Sequence, residues 1–447
     1  MPKNCEFWGL LCATALSIPT VAYAGDTFTD ALIGGKVSGN FRLRYETVDV
    51  DSPTIKDATA LTLRSRLGYE TAPFQGFTAF LEFEDTHVVG GKDQYSPEDK
   101  NSAKPATNPY DYAAIVDPEQ TEINRAYIRY RGISKLDLIV GRQRMLIDNQ
   151  RFVGNVGWRQ NEQTFDAVTA NYQGIADWGF YYAYIGRVKG IADEKPLYNF
   201  DMNTSDNLFN VSYSGFTFGK FTAYGYFLNN EESSPVLRNV APNVNDLNPA
   251  LRYKSNETYG LRFDGSYILP TTLPLRLLYT AEYAKQELKN PANVEFDTKY
   301  SLLEGGVGYT TSLGLVSLKV AQEVLGSDGG LQGFQTPYAT KHIFNGWVDM
   351  FLNTPAAGLK DKYATLASDL QPYGVKLMAM YHDYSKDEGS GKFGTEWNLQ
   401  ALKQFGPNYT LGIKYGSYKA DSDVATIIGT TANIDTKKFW LWGEFTF

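Results

Sequence analysis

The sequence predicts an all-β fold, an antiparallel up-and-down transmembrane β-barrel, and three observations carry the prediction. The first is the C-terminal run Lys437-Lys438-Phe439-Trp440-Leu441-Trp442-Gly443-Glu444-Phe445-Thr446-Phe447. Counting back from Phe447, the residues Phe445, Gly443, Leu441 and Phe439 take every second position, with Thr446, Glu444 and Lys438 between them. A period of two puts the two sets on opposite faces of one strand. The second observation is that alternating segments of roughly ten residues recur along the chain, the length that crosses a bilayer as a tilted strand. The third is that the connections between them are alternately short and long, as when tight turns line one rim and long loops the other.

Residues 1–24 are the first element. Lys3 precedes an apolar stretch from Phe7 to Ile18, and Ala22-Tyr23-Ala24 closes it as an A-x-A cleavage site. The stretch is too short for a membrane helix. A cleaved signal segment is expected, with the barrel occupying residues 25–447. Both cysteines, Cys5 and Cys12, lie in that segment. No disulfide, thiolate nucleophile or cysteine metal ligand is therefore expected downstream.

The strands follow. Phe41, Leu43 and Tyr45 share one face, and Arg42, Arg44 and Glu46 the other. Residues 61–70 repeat the scheme, and a turn at 73–76 leads into 79–84. Later copies run over 259–264, 277–283, 411–415 and the terminal strand. Short connections fall at 72–76, 132–135, 269–274 and 405–408. Long polar ones fall at 89–120, 145–163, 189–205, 229–255 and 326 to near 360. Both termini on the periplasmic side require an even count, which an additional strand at Lys362–Ala367 supplies. The expectation is about 18 strands, with about 16 as the fallback.

Composition bounds the function. A net charge of −8 excludes a generally basic nucleic-acid binder. Aromatics make up 14%, with 31 Tyr and 26 Phe, which suits the ring girdles of a barrel. A secreted all-β enzyme or lectin would share that composition but leaves the C-terminus unexplained. The histidines His87, His342 and His382 form no metal-spaced pair, and neither a nucleophile elbow nor a P-loop occurs. Glu82 and Glu84 share a strand face, but paired carboxylates are ordinary on a lumen wall. No catalytic residue, cofactor or metal is expected.

One long loop stands apart. Ile343, Phe344, Trp347, Val348, Phe351 and Leu352 fall at helical spacing, and Pro355 stops the pattern. A short amphipathic helix is expected here, either folded into the lumen as a constriction or packed against other loops.

Two stretches carry a family resemblance. One is Gly141-Arg142-Gln143 followed by Asp148-Asn149-Gln150-Arg151-Phe152-Val153-Gly154-Asn155-Val156-Gly157-Trp158-Arg159-Gln160 and on to Ala167. The other begins Gly333-Phe334-Gln335-Thr336-Pro337-Tyr338 and continues through His342-Ile343-Phe344-Asn345-Gly346-Trp347-Val348-Asp349 to Leu359. Both resemble blocks of the alginate-export-like family of outer-membrane porins. The resemblance implies a passive channel in the bacterial outer membrane. For an exporter of polyuronate it would also imply a strongly basic lumen.

This chain departs from that in part. Arg42, Arg44, Arg64, Arg66, Arg129, Arg131 and Arg262 fall on inward parity, but so do Glu46, Glu70, Glu82, Glu84, Glu282, Glu304 and Glu444. The expected lining is therefore mixed, with arginine concentrated on one wall. Its candidates are Arg42, Arg44, Arg64, Arg66, Glu82, Glu84, Arg129, Arg131 and Arg262. Arg142, Arg151, Arg159, His342 and Trp347 are candidates for a constriction. Trp440 and Trp442 are left open between lumen and girdle.

The expected activity is passive diffusion favouring small anionic solutes or acidic oligosaccharides, without catalysis. A dedicated export channel for an anionic exopolysaccharide such as alginate is the alternative, and a barrel enzyme or adhesin the second. Expected partners are outer-membrane lipid, lipopolysaccharide and, through Phe447, the barrel-assembly machinery.

Overall fold

The structure, a computed structural model, describes residues 27–92, 94–96, 112–191, 202–230, 253–422 and 433–447. The expected signal segment, 1–24, lies outside the described residues. A short helix, α1 (Phe28–Ile33), opens the described chain behind a Thr27–Asp30 capping box. The strands are β1 (Lys36–Val50), β2 (Ala58–Glu70), β3 (Phe77–Gly90), β4 (Gln120–Tyr130), β5 (Leu136–Gln143), β6 (Thr164–Tyr172) and β7 (Trp178–Lys189). Next come β8 (Met202–Phe216), β9 (Gly219–Asn229), β10 (Ser255–Ile268), β11 (Leu275–Lys289), β12 (Glu295–Thr311) and β13 (Gly314–Leu325). The two-residue strands β14 (Ser327–Asp328) and β15 (Gln332–Gly333) form a hairpin within a loop. The wall resumes with β16 (Leu359–Leu370), β17 (Val375–Ser385), β18 (Lys392–Phe405), β19 (Tyr409–Ala420) and β20 (Thr436–Thr446).

Eighteen strands make one antiparallel sheet, and β20 pairs with β1 to close it. Closure leaves no edge, so every ladder N–H and C=O in the wall finds a partner without water. The strand expected at Lys362–Ala367 is β16, flanked by β13 and β17.

Alternation sorts the two faces as the sequence requires. Leu43, Tyr45, Leu67, Phe83 and Leu261 are exposed on the outside, whereas Arg42, Arg44, Glu46, Arg64 and Arg66 are buried within. Outside, Trp178, Phe180, Tyr213 and Phe216 cluster near the short β8–β9 turn. Tyr182, Phe209, Phe227 and Tyr259 continue the outer aromatic surface from β7 and β8 onto β9 and β10.

Two of the long loops do not stand clear of the barrel. Residues 144–163 and 334–358 fold into it, and their apolar side chains Met145, Ile147, Val153, Tyr338, Val348 and Phe351 join inward-facing Phe165, Tyr226, Tyr300 and Tyr384 in one core. Burying a Val, Met or Phe side chain contributes roughly 1.5–3 kcal/mol, so these loops are packed elements of the fold.

The helix expected at Ile343–Leu352 does not form. That segment is a series of turns, with left-handed backbone at Lys341, Asn345, Gly346 and Asp349. Wall side chains supply the acceptors that a helix would have supplied: Trp347 N–H donates to Asn398 Oδ1 (3.2 Å) and Val348 N–H to Glu396 Oε1 (2.9 Å). Its apolar residues also diverge, Trp347 toward one cluster and Val348 and Phe351 toward another. One helical stripe cannot serve both.

Candidate functional site

A cavity of about 620 Å³ lies beneath the two loops. Ser38, Asp369, Lys376 and Thr446, at strand ends facing the short turns, mark its lower reach, and Trp158, Asn345 and Trp347 of the loops form its roof. Nine Arg and Lys side chains line it against five Asp and Glu. The chain as a whole is acidic, so the charge of this lining is opposite in sign to that of the molecule.

Arg42 and Arg44 on β1 hold the first loop in place. Arg42 donates to Gln160 Oε1 (2.9 Å) and to the carbonyls of Gly157 (3.2 Å), Trp158 (3.0 Å) and Arg159 (2.5 Å). All four acceptors are neutral, so the hydrogen bonds are satisfied while the charge persists. Arg44 pairs with Asp117 and reaches the Trp158 carbonyl. Arg66 pairs with Glu84, and Arg64 donates to Asn40 Oδ1 (2.5 Å) and lies 3.3 Å from Glu444.

Glu162 is the acidic counterpart in the loop. It accepts from Arg144 (2.8 and 2.6 Å), Asn124 (2.7 Å) and Asn155 (2.6 Å), with Arg66 at 3.7 Å. Burial alone would raise its carboxyl, but Arg144 and Arg66 outweigh burial and hold it well below the ordinary range.

The two loops meet at Lys414. Its ammonium sits 3.7 Å from the Trp158 ring centre and 4.2 Å from that of Trp347, and 3.2 Å from His342 Nε2. His342 stacks on Trp158 with centroids 4.7 Å apart and planes at 1°, and its Nδ1 lies 2.8 Å from Asp349 Oδ1. A carboxylate accepts only, so Nδ1 carries the proton and Nε2 accepts from Lys414. Burial and the neighbouring ammonium hold His342 down to about 3 despite Asp349.

That gives a pH prediction. A released loop would bind the proton near the ordinary 6.5, whereas the seated one refuses it down to about 3. The stabilisation is complete above 6.5 and is lost as pH falls through that window, by about 2 kcal/mol at pH 5. Tryptic cleavage in residues 334–358, normalised at each pH to cleavage of an unfolded substrate, is expected to accelerate from pH 7.5 to pH 5. The acceleration should be absent in His342→Gln.

The sequence-derived candidates separate into groups. Arg42, Arg64, Arg66, Glu82, Arg262 and Trp347 line the cavity. Arg44 and Glu84 are inward but sealed behind the first loop, at 1% and 0% exposure. Arg151 and Arg159 are buried between loops and wall, the first 2.8 Å from Glu323 and the second 3.2 Å from Glu46 and 3.1 Å from Asp349. They fasten the roof, as His342 does. Arg129 and Arg131 share Asp137 beside the short β4–β5 turn, below the cavity.

Arg142 corrects the expectation outright. Its neighbours on the same face, Val140 and Val168, are exposed outside the barrel, and its bidentate partner Asp166 lies directly opposite it on that face. It belongs to the outer surface, because β5 alternates and Gln143 takes the inward position. Trp440 and Trp442 are both inward, edge-on to Trp158.

Sequence reasoning missed Arg125, Arg144, Lys319 and Lys414 in the lining. Arg125 shares parity with Arg129, which would have found it. Lys414 sits in the recognised strand 411–415, on the face opposite Leu411 and Ile413.

Among the described residues no helix is long and apolar enough to cross a membrane; the crossing elements are strands. No curated protein matches the chain in sequence. Solved outer-membrane proteins share the fold. OccK9 (OpdG) of Pseudomonas aeruginosa aligns with a TM-score of 0.65 at 12% identity, over 93% of this chain and 100% of its own. OccAB4 of Acinetobacter baumannii gives 0.63 at 13%, over 92% and 98%. The outer membrane protein opdK of P. aeruginosa gives 0.63 at 13%, over 93% and 99%.

The family model described as alginate export matches residues 36–311, which include the first resembling stretch and stop short of the second. The chain is an outer-membrane β-barrel of porin type and belongs to the alginate export family.

Proposed function

We propose that the protein is a passive diffusion channel whose lumen favours anions over cations. The observation that carries this reading is the excess of cationic side chains around the cavity, nine against five. Arg42 is central to it, because its hydrogen bonds all end on neutral oxygens. A charge held between low-dielectric walls projects its field along the only aqueous path and concentrates counter-ions there. The lining residues act by attraction and release and perform no bond-breaking step.

Arg64 offers the cleanest substitution, since it borders the cavity and contributes no hydrogen bond to the loops. Arg64→Glu changes the lining by two charges. Anion-over-cation permeability in a KCl gradient is expected to fall several-fold, with the barrel still heat-modifiable on gels. An unchanged permeability ratio would remove Arg64 from the selectivity filter.

Export of an anionic polysaccharide is the second reading, favoured by family membership and by the same cationic lining. It requires the two packed loops to leave the lumen. Oligouronates that pass through without lengthy current block would support it.

A further inference from the structure

Inward positions of a water-filled barrel are ordinarily polar. On β17 and β18 three of them are not, although Lys376, His382 and Gln400 share their face. Met378, Met380 and Leu402 point into the lumen, stay only half-buried, and pack beside Trp442 and Trp440. The outward positions of β17 are apolar too, with Leu377 exposed and Ala379 between Leu366 and Leu399 in register, so the lipid face does not account for the inward methionines. Nor does the core beneath the loops, since these side chains still border the cavity.

Register makes them one strip. Leu402 lies opposite Gly412, Gly412 opposite Trp442, and Trp442 opposite Arg44. At Gly412 a Cβ would collide with the Trp442 ring, so the missing side chain is what lets the indole lie flat along the wall toward Leu402. Two residues further along β20, Glu444 faces Arg42 in register and pairs with Arg64. The strip therefore adjoins the arginine pair on the same wall of the same cavity.

Resting on the anion-channel reading, we propose that the preferred solutes are amphipathic monoanions, with one carboxylate and an apolar ring or short chain. The carboxylate is drawn to the charge of Arg42 and Arg64 while the apolar body lies on Met378, Leu402 and Trp442. A hydroxyl-rich anion of equal charge gains nothing on that strip, since its hydroxyls would lose water against thioether, isobutyl and indole surface. Specificity among anions then resides in the strip, and attraction of anions in the arginines.

Single-channel current block separates the two. Benzoate and glucuronate, each a monoanion, are added to the periplasmic side of the full-length channel in KCl. Benzoate is expected to reach half-block at a concentration roughly tenfold lower than glucuronate. Met378→Gln, nearly isosteric, should cut that preference several-fold, whereas Met378→Leu should keep it; heat-modifiable migration establishes that each variant is folded. Equal block by the two anions, tighter block by glucuronate, or a preference that survives Met378→Gln in folded channels would each overturn the proposal. Failure of the underlying reading looks different: a reversal potential of cationic sign in KCl alone.

Discussion

Glu162→Gln is expected to yield a folded barrel with a larger unit conductance, frequent gating transitions and stronger anion preference. The carboxylate receives four hydrogen bonds from Arg144, Asn124 and Asn155, and Arg66 stands beside it. A carboxamide turns an NH2 group toward donors and removes the counter-charge of Arg144, while Arg66 keeps only Glu84. Removing one partner from a buried ion pair costs about 3–5 kcal/mol. The loss is local, because the closed ladder of strands makes no use of Glu162. Residues 144–163 should therefore detach in part, and trypsin should cut after Arg151 or Arg159, both buried in the parent protein. Conductance and protection identical to the parent would show that the loop is held elsewhere.

Trp158→Ala is expected to have a comparable effect through a different contact. The indole is stacked on His342, edge-on to Trp440 and Trp442 at 5.7 and 5.1 Å, and covers the Lys414 ammonium. Truncating a packed Trp costs about 3–5 kcal/mol. It would also free the lysine charge into the cavity and uncouple the first loop from the second. Channels should open wider and become more anion-selective. Because Trp158 and His342 form one contact, the double variant with His342→Gln should be less damaging than the sum of the singles. Strict additivity would mean that the loops are seated independently.

The walls were legible in the sequence and the roof was not, for a physical reason. A strand with lipid on one side and a polar lumen on the other must alternate, so β1, β2, β10 and β20 declare both their existence and their faces. Even the strand hidden after the longest loop, β16, was required by parity of the count. Bulges break that reading. On β4 the register slips beside Asn124, so Glu122 and Asn124 point inward and then Arg125 and Arg129 do as well. No local pattern announces such a slip.

The roof is fixed by pairs remote in sequence. Arg159 with Asp349, Arg151 with Asn345, and Lys414 with His342 join separate loops and strands. The helical spacing at Ile343–Leu352 was real, but spacing states only that apolar residues recur. It does not state that they share one acceptor surface, and Asn398 and Glu396 took the backbone N–H groups instead. Arg142 departs the other way: it belongs to a resembling block, yet on β5 it ends a lipid-facing row with Val140.

The reversal potential of the unmodified channel in a tenfold KCl gradient tests the central claim most directly. A lumen whose fixed charge is positive should give a potential of the sign set by chloride, with a magnitude that shrinks as total salt rises and screening shortens. A potential of the sign set by potassium would mean that the cationic lining does not govern what passes.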